Sequence, residues 1–446
     1  MQANPRVLTT VIGLTLALPG IAQAGSFAVN ENSANDLGRA NAGRAVSTQD
    51  AIAAFGNPAM MTAQERAVVT STLSYIIGDA TFTDEGSTDP LGAPLSGVST
   101  TDAFPDSFVP SLQAVVPVSD RVALGLSVNA PFGLASEFED ARSITRYQAI
   151  NSELFTLNVN PSVAVALNDR ISVGAGLNAQ YADVRLTSAV DFGSIALARQ
   201  MGGTPDPRLP GSDDGGLDLR GEDWSFGWNA GIALHPSERL TLGAHYRSEI
   251  DHVLEGPAFF TPGPQFADAV TANGAFQDTE ARAELDLPST VEIGARWSAT
   301  DSLTLYADWT RQDWRDFKEL RIAFDNPAQP DSVEEFEYGR ADRLALGTDV
   351  RVSPRWTLRG GVARDETPVN PEFPSARIPD NDRTFYALGA TLAEVELLGP
   401  LQLDLAYTLI DVADTEFERR DAFGNTLRGT GRSRVHIVAA GVTKRF

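Results

Sequence analysis

Past its N-terminus the chain has no apolar run long enough to cross a bilayer as a helix, yet it alternates apolar and polar residues through one strand-length segment after another. Leu303, Leu305, Ala307 and Trp309 fall on one face of such a segment, and Thr304, Tyr306, Asp308 and Thr310 on the other. Leu401, Leu403, Leu405 and Tyr407 alternate with Gln402, Asp404 and Ala406. Period two with one apolar face specifies a half-buried strand. About fourteen segments read this way, near 66–83, 108–118, 121–131, 152–167, 170–187, 223–235, 239–255, 281–299, 302–320, 336–352, 355–364, 383–393, 400–413 and 432–446. A soluble β-sandwich would show the same alternation, so the connections decide. Tight turns at Ser119-Asp120, Asn168-Asp169, Pro236-Ser237-Glu238, Thr300-Asp301, Ser353-Pro354 and near Leu397-Gly399 alternate with long connections. The long ones lie near 84–107, 132–151, 188–222, 256–280, 321–335, 365–382 and 414–431. Short turns on one rim and long loops on the other are the plan of an outer-membrane barrel. Lipid offers no partner to free backbone groups, so the sheet must close. The reading is all-β: a 14-stranded antiparallel transmembrane β-barrel over 65–446.

The N-terminus predicts export. Met1 to Arg6 is short and basic, Val7 to Leu18 is apolar, Pro19-Gly20 breaks the run, and Ala22-Gln23-Ala24 is an A-x-A cleavage site. This is a signal-peptide pattern over 1–24. The run of about 12 residues is shorter than the roughly 20 that a spanning helix needs. Across 446 residues the net charge of −24 argues against nucleic acid, whose phosphates call for a basic face. The chain has no cysteine, and its four His lack HExxH spacing, so neither a thiolate nor a zinc centre is expected. Asp191-Phe192-Gly193 has no Gly-rich phosphate loop beside it, and no G-x-S-x-G occurs. Asp213, Asp214 and Asp218 lack EF-hand spacing and read as a solvated loop. No enzyme, cofactor or metal is expected. The chain ends on Phe446, an aromatic C-terminus of the kind usual in such barrels, with Lys444 on the same face.

Gly25 to Gln64 is rich in Gly, Ala and Asn and lacks strand periodicity. It carries Phe27 as third residue after the cleavage site, Asn30-Glu31, Leu37-Gly38-Arg39-Ala40 and Asn57-Pro58-Ala59. Further along stand Pro131-Phe132-Gly133-Leu134-Ala135-Ser136-Glu137-Phe138, Tyr246-Arg247-Ser248-Glu249, Leu287-Pro288-Ser289 and Ile378-Pro379-Asp380-Asn381-Asp382-Arg383. In these segments, which run through the whole mature chain, the sequence resembles the FadL family of outer-membrane long-chain fatty-acid transporters. The resemblance implies a fourteen-stranded barrel with residues 25–64 as a hatch plugging its lumen. It implies inward movement of hydrophobic molecules, long-chain fatty acids for most members and aromatic hydrocarbons for one branch.

Several residues are candidates for that work. The 188–222 connection carries a helix-like patch with Ile195, Leu197 and Met201, and the 256–280 connection carries Phe259, Phe260 and Phe266 with Val270 and Phe276. Apolar residues so concentrated on a loop suggest a binding surface. The resemblance implies a capture groove here; a lid of loops packed on each other is the other reading. From the residues alone Phe27 reads as an anchor, whereas the resemblance puts it in an internal pocket. A fatty-acid carboxylate would want a buried cation, preferably Arg, and Arg185, Arg340 and Arg343 are the candidates. Proline cannot donate to a ladder, so Asn129-Ala130-Pro131-Phe132-Gly133 predicts a bend or gap in the third strand, which the resemblance makes a lateral opening. Asn57-Pro58-Ala59 is a turn signal, expected as a rigid turn of the plug beside that opening. A polar-solute porin and an adhesin are competing readings; the long N-terminal segment argues against the porin. The expected partners are a hydrophobic small molecule and outer-membrane lipid, and the expected state is a monomer.

Overall fold

The computed structural model describes residues 27–446 except 101–102, 139–141, 200–205, 207 and 397–399. The predicted signal peptide lies outside the described residues. Fourteen antiparallel wall strands close on themselves. They are β1 (Val68–Asp84), β2 (Ser107–Ser119), β3 (Val122–Asn129 and Gly133–Glu137), β4 (Asn151–Asn168), β5 (Ile171–Asp191), β6 (Asp214–Ser237) and β7 (Leu240–Arg247 and Ile250–Thr261). There follow β8 (Thr279–Leu287 and Ser289–Ser298), β9 (Leu303–Asp313 and Glu319–Phe324), β10 (Ser332–Glu335 and Arg340–Arg351), β11 (Trp356–Asp365), β12 (Arg383–Glu396), β13 (Pro400–Val412 and Thr415–Arg420) and β14 (Thr426–Arg445). Closure runs from Val68↔Arg445 to Asp84↔Gly429 between β1 and β14, so no edge strand is left at the seam. Both ends of the wall lie at the rim of short turns.

The alternation seen in the sequence is turned inside out relative to a soluble sheet. On β1, Thr70, Thr72 and Ser74 are buried in the lumen, while Leu73 and Ile77 are exposed. Trp224, Phe226 and Trp228 are exposed on β6, as are Tyr386 and Leu388 on β12. The exposed apolar face is the lipid contact of a transmembrane barrel. At the C-terminus the Lys444 ammonium lies 5.2 Å from the Phe446 ring centroid.

The strands run further than the periodicity predicted. The 188–222 connection shrinks to 192–213 because β5 and β6 stay paired as far as Asp191↔Asp214. Phe259 and Phe260, expected on a loop, lie on β7, which continues to Thr261. The 321–335 loop is a hairpin with a turn at 325–331. Above the lipid the outer face turns polar, so the apolar alternation ends before the ladder does.

The N-terminal segment fills the lumen. From Phe27 to Met61 nearly every residue is buried. It is wound in short helical turns at Ala34–Leu37, Ala53–Gly56 and Pro58–Ala63. Ser33 caps the first, accepting from the Asp36 amide. Arg39 is fully buried, paired with Asp36 and, at 3.1 Å, with Asp349 of β10, its guanidinium 4.2 Å from the Tyr306 ring centroid. Arg44 pairs with Glu292 of β8 at 3.1 Å. Buried charges held between segment and wall are costly to separate. The wall makes room with inward-facing glycines: Gly174 abuts the Pro58–Ala59 peptide, Gly231 Asn57, Gly243 Ala45, Gly347 Arg39 and Ala42, and Gly389 Gly38.

Candidate functional site: an aromatic cage above a polar cavity

Three strands leave the ladder around one cluster. β9 breaks between Asp313 and Glu319, and β10 between Glu335 and Arg340. The interrupted stretches bury Trp314, Phe317, Phe336 and Tyr338. β3 breaks between Asn129 and Gly133, where Pro131 has no N–H to give, and buries Phe132. Phe27 sits among them, its ring centroid 4.7 Å from Trp314, 5.8 Å from Phe317 and 6.3 Å from Phe132. Leu154, Leu186, Leu219, Leu254 and Leu287, from β4 to β8, complete the apolar cluster.

The backbone at the β3 break is satisfied from within. Val29 N–H donates to the Pro131 carbonyl at 2.8 Å, and Gly133 N–H to the Phe27 carbonyl at 2.7 Å. Beyond Leu112↔Val128, β2 has no ladder partner in β3, and Gly133–Glu137 pair with β4 instead. The wall between β2 and β3 is therefore unladdered at the height of Phe132, as the Asn129–Gly133 pattern predicted.

Beneath the cage lies a cavity of mixed lining, with charged and polar side chains among apolar ones. Its floor is Ala28–Asn30, Arg44 and Phe55–Gly56; its walls include Phe132, His245, Arg247, Thr290, Glu292 and Gln312. Arg247, Thr290 and Gln312 are cross-strand neighbours on β7, β8 and β9. Arg247 is buried, donates to Asn178 Oδ1 at 2.7 Å and to the Phe55 carbonyl at 2.9 Å, and lies 4.1 Å from the Phe55 ring centroid. It makes no ion pair among the described residues. Arg44 is neutralised by Glu292.

Above the cage, two loop helices meet, α1 (Phe192–Arg199) and α2 (Ala267–Thr271). Arg199 ties them, donating to the Ala269 and Val270 carbonyls, both at 2.7 Å. Ile195, Phe266 and Phe276 pack on buried Val190, Phe192 and Val270. Phe276 meets Phe260 at 5.7 Å, Phe260 meets Phe324 at 5.7 Å, and both Phe260 and Phe324 pack on the cage cluster. An apolar track thus runs from the loop helices to Phe27.

Other candidates fall elsewhere. Leu197 is half-buried on α1, Phe259 is exposed on the outer face with Arg220 5.7 Å from its ring centroid, and Met201 lies outside the described residues. Arg185 pairs with Asp218 at 3.0 Å and Arg340 with Asp313 at 3.2 Å, both partly exposed on the outer face and away from the cage. Strand parity puts them there: each is offset by one residue from the inward set. Arg343 faces inward, buried, and donates to the Ala40 carbonyl beside the N-terminal segment. Asn57-Pro58-Ala59 is a tight turn, but against β5 and β6 and not at the β3 break. Asn57 Nδ2 donates to the Ala45 carbonyl at 2.8 Å and the Ile232 carbonyl at 3.2 Å. Met61, further along the same turn, is the residue that reaches β3, over Gly125. Ala130 is half-buried at the start of the break. The sequence reading missed Arg247, Trp314 and Phe336. An arginine flanked by Tyr246 and Ser248 on a strand gives no sign of which face it takes until its register is known.

A closed barrel with a lipid-facing belt, a filled lumen and an apolar track leading inward defines an outer-membrane transporter of hydrophobic compounds. The family model described as outer membrane protein transport protein (OMPP1/FadL/TodX) matches residues 15–446, and the chain belongs to that family. The long-chain fatty acid transport protein of Escherichia coli O6:H1 is 30% identical over 403 residues, covering 87% of this chain and 89% of the relative. Outer membrane protein P1 of Haemophilus influenzae is 29% identical over 443 residues, covering 95% and 93%. The crystal structure of a Pseudomonas aeruginosa FadL homologue superposes with a TM-score of 0.88 at 27% identity, covering 95% of this chain and all of that one.

Proposed function

We propose that the cargo is a long-chain fatty acid, taken up passively with residues 25–64 acting as the hatch. The observation that carries this reading is Arg247, a buried arginine without an ion pair among the described residues, in the wall of a cavity directly beneath an apolar cage. An alkane gains nothing from such a cation and an aromatic ring only a cation–π contact, and burying one uncompensated is costly. A carboxylate repays it with charge-assisted hydrogen bonds. The acyl chain is captured on the α1/α2 cluster, follows Phe276, Phe260 and Phe324 inward, and displaces Phe27 from the cage. With net charge −24, the protein does not draw the anion from a distance, so capture rests on apolar contact. Release is lateral, through the unladdered wall between β2 and β3, which spares the chain a passage across water.

The test is uptake of labelled oleate and toluene by cells lacking their own transporter. Arg247→Gln should lower the oleate-to-toluene ratio about tenfold, the worth of a hydrogen bond to a charged group. Gly133→Arg should block both cargoes while the barrel still assembles. Toluene uptake without oleate uptake by the native chain would move it to the hydrocarbon branch. Full uptake by Gly133→Arg would end the lateral route.

A further inference from the structure

Trp314 is chemically out of place in the cage. It is 1% exposed, and its ring centroid is 4.7 Å from Phe27, 6.0 Å from Phe132 and 6.1 Å from Tyr338. Its backbone is satisfied: the amide donates to the Gly339 carbonyl at 3.2 Å, and its carbonyl accepts from Phe317 N–H at 2.9 Å. The indole N–H is not; it has no acceptor among the described residues. Buried Trp N–H groups ordinarily find a partner, and leaving one unpaired is a standing penalty that a phenylalanine would avoid. Gln312, two residues earlier on the inward face of β9, lines the cavity. Phe132, whose ring centroid is 6.0 Å from that of Trp314, lines the same cavity, so the unpaired donor belongs to a residue of the cage that neighbours the cavity wall on two sides.

We infer that Trp314 donates its indole N–H to an oxygen of the cargo's head group once Phe27 has left the cage. This makes the site selective for chains that end in a hydrogen-bond acceptor over plain hydrocarbons. The inference rests on the amphiphile reading above but separates from it. Arg247 reads charge. The indole is a neutral donor and reads any acceptor, whether acid, alcohol or ester.

The experiment measures affinities of the full chain in lipid nanodiscs for hexadecanoate, hexadecan-1-ol and hexadecane, by competition with a fluorescent hydrophobe. Trp314→Phe should weaken the acid and the alcohol about tenfold relative to hexadecane. Arg247→Gln should weaken the acid relative to the alcohol. If Trp314→Phe shifts all three ligands by one factor, the ring only packs and the inference is overturned. If Arg247→Gln leaves the acid-to-alcohol ratio unchanged, the carboxylate reading fails, and Trp314 is still decided by the alcohol-to-hexadecane ratio. A measurement on the native chain guards against a variant that does not assemble. The indole N–H resonance of Trp314, one of six tryptophans, should move downfield with hexadecan-1-ol and stay with hexadecane. The same shift with both would overturn the inference.

Discussion

Gly174→Ala is a sharp test of how the N-terminal segment is held. Gly174 faces inward on β5, and a Cβ added there would lie 2.6 Å from both the Pro58 carbonyl carbon and the Ala59 amide nitrogen. Ordinary contact begins at 3.4 Å, so the backbone of the N-terminal segment must retreat by roughly 0.8 Å. The obstacle is backbone, which cannot swing aside as a side chain would. The retreat loads the Asn57 bond to the Ile232 carbonyl, 3.2 Å, and the Thr62 bond to Ser172, 2.8 Å. Overpacking of this kind costs about 1–3 kcal/mol, and losing a hydrogen bond adds about 1 kcal/mol. A total near 2–4 kcal/mol raises the unseated population roughly 30–900-fold. The wall itself is not harmed, since Ala is a better strand residue than Gly. Gly347→Ala makes the matching test on the opposite side, where the new Cβ would meet Ala42 Cβ at 2.9 Å and Arg39 Cβ at 3.0 Å. Both variants should assemble as heat-modifiable barrels and pass more ions than the native chain in a planar bilayer. Native-like silence from both would show that the glycine contacts do not hold the N-terminal segment in the lumen.

Phe27→Ala should leave an apolar void among Trp314, Phe132 and Phe317, and such voids stay dry and bind apolar molecules. Hydrophobe affinity of the purified barrel should rise, and an unchanged affinity would mean that Phe27 does not compete with cargo. Outside the membrane, burial pushes the Asp421 carboxyl from 3.8 up to about 6, against hydrogen bonds from Asn425 and Phe423. The folded loop then holds its proton more tightly than the unfolded one. Its stability is greatest below about pH 4 and falls by on the order of 3 kcal/mol as pH rises through 6. Asp421→Asn should make proteolysis of this loop independent of pH between 4 and 7; a variant that keeps the dependence assigns it to another group.

The barrel was legible because it is periodic. Leu303–Thr310 and Leu401–Tyr407 declare their faces in the sequence, and the alternation of turns and loops places the membrane. The Asn129–Gly133 break was legible for a local reason, a proline where a ladder donor was needed. The loop helices were legible as apolar density on connections, though Phe259 and Phe260 turned out to be strand. The cavity arginine proposed to meet a head group was not legible. Which arginine faces the lumen depends on strand parity, and whether it is paired depends on strands far away in sequence. Arg185 and Arg340 sit one residue off the inward set and are neutralised across the outer face. Arg247 is on it, with only Asn178 and Phe55 to hold it.

The cage shows why the functional part of such a barrel escapes a pattern built on regularity. A perfect strand puts one side chain inside at every second position, and a lumen filled by the N-terminal segment leaves little room for a ligand site between the two. Trp314-Arg315-Asp316-Phe317-Lys318 and Phe336-Glu337-Tyr338-Gly339 solve this by leaving the ladder, so that each strand delivers two aromatic rings to the interior where continued pairing would spread them along the wall. Glu337 takes a φ of 46° to do so, a conformation that costs a non-glycine residue free energy. The β3 break delivers Phe132 and exposes backbone groups that Phe27–Val29 then satisfy. The hydrogen bonds missing from the wall are thus supplied partly by the same N-terminal residues that fill the cage, through the Phe27 carbonyl and the Val29 N–H, and partly by the Thr156 hydroxyl of β4.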